Sequence, residues 1–72
     1  MRKEFIEILS RYTGLGTGDI VPEMLIARYC DEFDILQMAM DLEAEYGVSI
    51  PTGILEGPLT AGELWACIEE AE

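Results

Sequence analysis

Apolar residues recur at helical spacing in three segments of the chain. From Arg2 to Tyr12 they follow every third or fourth position, and Gly14 is suited to end a helix there. The central segment runs from Asp31 to Pro51, with an end at Gly47. The last helical segment runs from Ala61 to about Ala71. The pattern predicts an all-α fold, a small bundle of three main helices.

Polar residues at the starts of two segments support these boundaries. Asp31 is a good N-cap, and Asp34 three residues later resembles the partner in a capping box. Thr60 and Glu63 form the same signature before the last helix. Both starts are therefore expected to be well defined.

The two connections differ in length and content. Gly14, Gly16 and Gly18 look like part of a phosphate-binding loop, but no strand precedes them and no Gly-Lys-Ser/Thr follows, so a flexible turn is the better interpretation. A short helical turn is compatible with residues 22–29, where Pro22 suits a first helical position. Between Gly47 and Pro58, the sequence leaves room for at most one further turn, at Ile54–Glu56.

The central helix carries apolar residues on two sides, about a third of a turn apart. One side holds Ile35, Ala39, Leu42 and Tyr46, and the other holds Phe33, Leu36, Met40 and Ala44. A helix this apolar contacts more than one neighbour. The core is expected to contain Phe5, Ile8, Leu9, Ile26, Ile35, Met38, Leu42, Tyr46, Ile50, Leu64 and Ile68. Trp65 is expected at the edge of this core, and the second side of the central helix either faces a partner or is covered by other parts of the chain.

Residues 31–51, DEFDILQMAMDLEAEYGVSIP, resemble the second helix of acyl carrier proteins. Residues 60–64, TAGEL, are similar to the start of the last helix in that family. The resemblance implies a single carrier-protein-like domain over residues 1–72, with a short third helix near 54–56. In the family, the residue after the first Asp is a Ser that carries phosphopantetheine, whereas this sequence has Glu32. The resemblance therefore implies the fold and the partner surface, and no cofactor is expected.

Charge along the chain is strongly uneven. The net charge of the 72 residues is −11, with only four basic side chains. All four bases lie at or before Arg28, and only acids follow. Such a surface disfavours nucleic acid and anionic lipid and suits a protein with a basic patch, although the acids are also explained by solubility alone. No apolar run spans a membrane and the start lacks the features of a signal peptide, so a cytoplasmic location is expected.

The sequence has few of the residues and spacings that catalysis or metal binding requires. The chain has no His, and its two cysteines, Cys30 and Cys67, are expected to stay unpaired in a reducing compartment. The acids near Asp31 lack the spacing of an EF-hand loop. We therefore expect neither an enzyme nor a metal site.

The sequence favours an interaction or regulatory module for enzymes of acyl-chain, polyketide or peptide synthesis. Its apolar contacts with a partner would be Phe33, Leu36 and Met40. The acidic rim around them would consist of Asp31, Glu32, Asp34 and Glu43. The partner would be a protein with a basic patch around an apolar groove. Glu32 is explained either by the helix dipole or as a fixed charge where relatives carry their phosphate-linked arm. Two alternatives remain: a working carrier loaded by an unusual route, and a structural subunit of an unrelated assembly. For the first, the only serines, Ser10 and Ser49, do not lie at the helix entry, and Cys30 lies near it but has a thiol in place of the family's alcohol. The sequence leaves the oligomeric state open.

Overall fold

The computed structural model describes all 72 residues, and they form a bundle of three helices. These are α1 (Lys3–Thr13), α2 (Glu32–Tyr46) and α3 (Ala61–Ala71). Three short 3-10 turns lie in the connections, at Thr17–Asp19, Ile26–Arg28 and Thr52–Leu55. The all-α prediction is confirmed. The expected turn at 54–56 is a 3-10 turn that begins two residues earlier, directly after Pro51.

Four of the six helix boundaries have a local cause in the sequence. Gly14 and Gly47 end α1 and α2 with φ angles of 76° and 65°, in the left-handed region that glycine adopts without steric cost. The Asp31 side chain accepts a hydrogen bond from the Asp34 backbone N–H at 2.9 Å, but Asp34 returns no bond, so the expected capping box is only half formed. The box of Thr60 and Glu63 is complete.

The core lies between the three helices and the long first connection. Ten of the eleven residues expected there are buried, and Tyr46 is half-buried instead. Tyr46 ends α2, where its ring packs edge-on against Trp65 with the centroids 5.7 Å apart. Trp65 also packs against Phe5, at 5.1 Å, and is half-buried as expected.

The long connection between α1 and α2 is held against the start of α3. Ile26 N–H donates to the Leu59 carbonyl at 3.0 Å, and Ala61 N–H donates to the Met24 carbonyl at 3.0 Å. Ile20, Met24 and Ile26 are buried, so this connection forms one wall of the core. It brings the residues before α2 beside the second connection, where the candidate site lies.

None of the three helices combines the length and apolarity that crossing a lipid bilayer requires.

Candidate functional site

One side of α2 exposes three large apolar side chains, and we call Phe33, Leu36 and Met40 the apolar ridge. Their exposed fractions are 79%, 45% and 65%. Spacings of three and four residues place them next to one another along the helix. The core takes the opposite side of α2, through Ile35, Met38, Ala39 and Leu42. The alternative that the ridge is covered by other parts of the chain is therefore excluded.

Carboxylates lie around the start of the ridge. Asp31 and Glu32 are exposed and Asp34 is half-buried. One Asp31 oxygen is engaged by the Asp34 backbone N–H, whereas the Glu32 carboxylate makes no hydrogen bond or ion pair within the chain. The positive end of the α2 dipole stabilises negative charge at these positions. Both explanations of Glu32, the dipole and the fixed charge, are compatible with this geometry.

Glu43, which the sequence placed on the same rim, has a structural contact. One oxygen of its half-buried carboxylate accepts a hydrogen bond from the Ile50 backbone N–H at 2.7 Å. This bond ties the segment after Gly47 back onto α2. Helical periodicity could not indicate the contact, because the donor lies beyond the end of the helix.

A groove of about 710 Å³ lies beside the ridge. It is formed by the second 3-10 turn, the first turns of α2 and the third 3-10 turn. Its lining residues are Ala27, Cys30, Asp31, Glu32, Ile35, Leu36, Thr52, Leu55, Glu56 and Gly57. Sequence reasoning missed this groove, because its two sides are separated by most of α2 and no periodic signal joins them.

The two cysteines are the first candidate nucleophiles, and one of them, Cys30, lies beside the start of α2. The half-buried Cys30 thiol donates to the Ile26 carbonyl at 3.4 Å; its burial raises its pKa, and the charges of Asp34 and Asp31 raise it further. A thiol that holds its proton is a weak nucleophile near neutral pH. Cys30 and Cys67 are both free.

The two serines lie away from the first turn of α2. The Ser10 hydroxyl donates to the Leu15 carbonyl at the end of α1. Ser49 is exposed in the segment after α2. Neither hydroxyl occupies the position at which the sequence resemblance places the family's attachment residue.

No protein-family model matches the chain. Individual proteins do match it, and those found carry the name meromycolate extension acyl carrier protein. The protein of that name from Mycobacterium tuberculosis strain H37Rv is 34% identical, over 92% of this chain and 59% of its own length. The protein from Mycolicibacterium aurum is 32% identical, over 92% of this chain and 70% of its own length.

The chain belongs to the acyl carrier protein family. The match to the Mycolicibacterium aurum protein extends over most of both chains, and the three-helix bundle agrees with it. Acyl carrier proteins are carriers rather than catalysts. This family member spans only 59% of the length of the Mycobacterium tuberculosis relative.

Proposed function

We propose that this acyl carrier protein family member is an interaction module that docks on enzymes of acyl-chain, polyketide or peptide synthesis and does not carry phosphopantetheine. The observation that carries the proposal is the apolar ridge of Phe33, Leu36 and Met40, exposed on a helix whose only charged residues are acids. The matched relatives are named for meromycolate extension, which supports partners that act on acyl chains.

The ridge has the chemistry of a protein contact. Aromatic and methionine side chains are enriched at interfaces, and methionine adapts its shape to different partners. Asp31, Glu32 and Asp34 at one end of the ridge attract a basic patch and speed encounter with it. A partner that fits offers an apolar groove bordered by arginine and lysine.

The side chains at the start of α2 support the absence of the prosthetic group. The family attaches phosphopantetheine through a serine hydroxyl, and the corresponding side chain here is the carboxylate of Glu32. The Ser10 hydroxyl is engaged in a hydrogen bond at the end of α1, and Ser49 lies beyond the other end of α2. The residues present therefore do not fit the group as the family holds it.

Intact mass spectrometry tests the loading part of the proposal. The wild-type chain is incubated with coenzyme A and a phosphopantetheinyl transferase, with an acyl carrier protein known to accept the arm as the positive control. We expect no change in the mass of the wild type. The matched variant Glu32→Ser is expected to gain the mass of one arm, because it restores the hydroxyl on an otherwise unchanged surface. A mass gain by the wild type would show that the domain is a working carrier.

Substitution on the ridge tests the docking part. Leu36→Arg places a positive charge in the middle of the apolar ridge and is expected to abolish capture of partners from an extract of the source cell. Val21→Arg, at an exposed apolar residue outside the ridge, is the matched control and is expected to retain them. Circular dichroism checks that both variants are folded. If folded Leu36→Arg captured every partner of the wild type, the ridge would not be the docking surface.

A further inference from the structure

The four methionines of the chain differ widely in exposure. Met24 and Met38 are buried in the core. Met1 is 37% exposed and lines a depression between α1 and the first 3-10 turn. Met40, on the apolar ridge, is 65% exposed. Its thioether is therefore the one most open to small molecules in solution.

The two cysteines offer less accessible sulfur atoms. The half-buried Cys30 thiol donates to the Ile26 carbonyl, and burial and the neighbouring acids raise its pKa. It therefore keeps its proton near neutral pH, and the reactive form of a cysteine is the thiolate. Cys67 is half-buried and packs against the core. Neither sulfur is as exposed as that of Met40.

The charge of the chain selects the kind of oxidant that reaches Met40. The net charge is −11, and the only charged residues of α2 are acids. This field lowers the local concentration of anionic oxidants and does not act on a neutral hydroperoxide. In the reaction, the sulfur lone pair forms an S–O bond while the O–O bond breaks, and the proton moves to the leaving oxygen. The sulfur loses two electrons, and the hydroperoxide is reduced to an alcohol or to water.

The sulfoxide changes the chemistry of the ridge. It turns an apolar side chain into a polar one with a strong hydrogen-bond acceptor. Phe33 and Leu36 precede Met40 on the same side of α2, and the helix has no basic side chain to pair with the new oxygen. A partner that covers the ridge with apolar groups would leave this oxygen buried and unpaired, which costs free energy.

The same oxidation leaves the fold in place. Met40 lies outside the core, so an added oxygen displaces no packed neighbour. Met38, two residues earlier, lies on the core side of α2, where a sulfoxide would disrupt packing. A loss of apolar surface without unfolding is therefore specific to Met40.

We propose that Met40 is a site of reversible oxidation by hydroperoxides, and that its sulfoxide turns the apolar ridge into a polar surface that no longer docks. The consequence for docking rests on the proposed function, whereas the site and the loss of apolar surface belong to the isolated chain. Methionine sulfoxide reductases reverse the step with thiols. Two thiols become a disulfide, and the sulfoxide oxygen leaves as water.

Peptide mapping by mass spectrometry after treatment with dilute hydrogen peroxide tests the site. A thiol reductant added afterwards reverses cysteine sulfenic acids and disulfides and leaves methionine sulfoxide intact. We expect Met40 to gain one oxygen first and Met1 more slowly. Met24 and Met38 are expected to react at least about tenfold more slowly than Met40, because they need local opening of the fold. If Met40 reacted no faster than any of the other three, the assignment would be wrong.

Retention on a phenyl resin tests the change of the surface. Wild type oxidised at Met40 is expected to elute earlier than the untreated protein, and a methionine sulfoxide reductase with its thiol reductant is expected to restore the retention. The matched control Met40→Leu keeps an apolar side chain and lacks the sulfur, so peroxide should leave its retention nearly unchanged. Circular dichroism checks that all samples are folded. Equal shifts in the two proteins, or none in the wild type, would refute the change of the ridge.

Capture of partners from an extract of the source cell tests the consequence for docking. Oxidation is expected to weaken capture by the wild type about tenfold or more, because the apolar contact of one methionine is lost. Oxidised Met40→Leu is expected to capture as before. Undiminished capture by the oxidised wild type would overturn the switch. If the untreated wild type captured nothing, the proposed docking function would fail, while peptide mapping and phenyl retention would still decide on the oxidation site.

Discussion

At the scale of single residues, Tyr12 and Asp41 form the side-chain link between α1 and α2. The Tyr12 hydroxyl donates to an Asp41 carboxylate oxygen at 2.5 Å. This hydrogen bond is the main cause that raises the pKa of Tyr12; desolvation and the Asp41 charge also raise it, while Arg11 lowers it. The neutral phenol is therefore favoured in the folded state.

The Tyr12 contact predicts a loss of stability in alkaline solution. Below the unfolded pKa of about 10, the phenol is protonated in both states and its contribution is complete. As the pH rises from there through the raised folded pKa, the unfolded chain loses its proton first and the free energy of unfolding falls. Urea denaturation followed by circular dichroism between about pH 8 and 11 measures this fall.

Substitution separates Tyr12 from the other tyrosines. Above about pH 10, the free energy of unfolding of Tyr12→Phe is expected to fall less steeply with pH than that of the wild type. Part of the fall remains, because burial also raises the pKa of Tyr46. Tyr29→Phe removes an exposed tyrosine, and its free energy of unfolding is expected to fall with pH as steeply as that of the wild type. If the free energy of unfolding fell equally steeply with pH in Tyr12→Phe and in the wild type, the Tyr12–Asp41 hydrogen bond would not contribute to the alkaline loss of stability.

At the scale of elements, the first turn of α3 and the long connection are in backbone contact. Gly62 N–H donates to the Pro22 carbonyl at 2.9 Å. A Cβ at position 62 would lie 3.1 Å from Pro22 Cβ and 3.2 Å from its carbonyl oxygen. Glycine therefore permits a close approach here, although it is a poor residue for the interior of a helix.

The effect of Gly62→Ala follows from two opposing terms. Alanine stabilises a helix by about 1 kcal/mol relative to glycine, whereas overpacking costs about 1–3 kcal/mol. The connection is held by several backbone hydrogen bonds and cannot move away freely, so we expect a net loss of about 1 kcal/mol. The control is Gly18→Ala, where a Cβ would meet nothing within 4 Å. Urea denaturation compares the free energies of unfolding of the two variants. A Gly62→Ala variant more stable than the wild type would show that the connection at Pro22 moves away from the added methyl group.

At the scale of the whole molecule, the dominant feature is repulsion among fifteen acids that four bases do not balance. The repulsion destabilises the compact state and is screened over about 10 Å at 0.1 M salt. The Arg2–Glu72 ion pair is also weakened by salt, but an exposed pair contributes little. The net effect of salt is set by the repulsion.

We therefore expect the melting temperature to rise with salt concentration. Each 1 kcal/mol gained raises the melting temperature of a domain of this size by about 4–8 °C. Thermal unfolding followed by circular dichroism in increasing sodium chloride and potassium chloride measures the rise. The two salts should act alike, since the effect is screening. If the melting temperature did not change with the concentration of either salt, repulsion among the acids would not be a main destabilising term.

The helices and most of the core follow from the sequence alone. Periodicity, Gly14, Gly47 and the Thr60–Glu63 box are local signals, and local signals specify where a helix begins and ends. Periodicity also separated the two apolar sides of α2, but it could not say which of them was covered, because that depends on where the other helices pack.

Tertiary structure alone decided that the ridge of Phe33, Leu36 and Met40 is exposed and that Glu43 is tied to Ile50. It alone created the groove, whose two sides meet only when the chain folds back after α2. The physical reason is the same in each case. Burial, hydrogen bonding and cavities depend on residues distant in sequence, and a helical repeat contains no information about such partners.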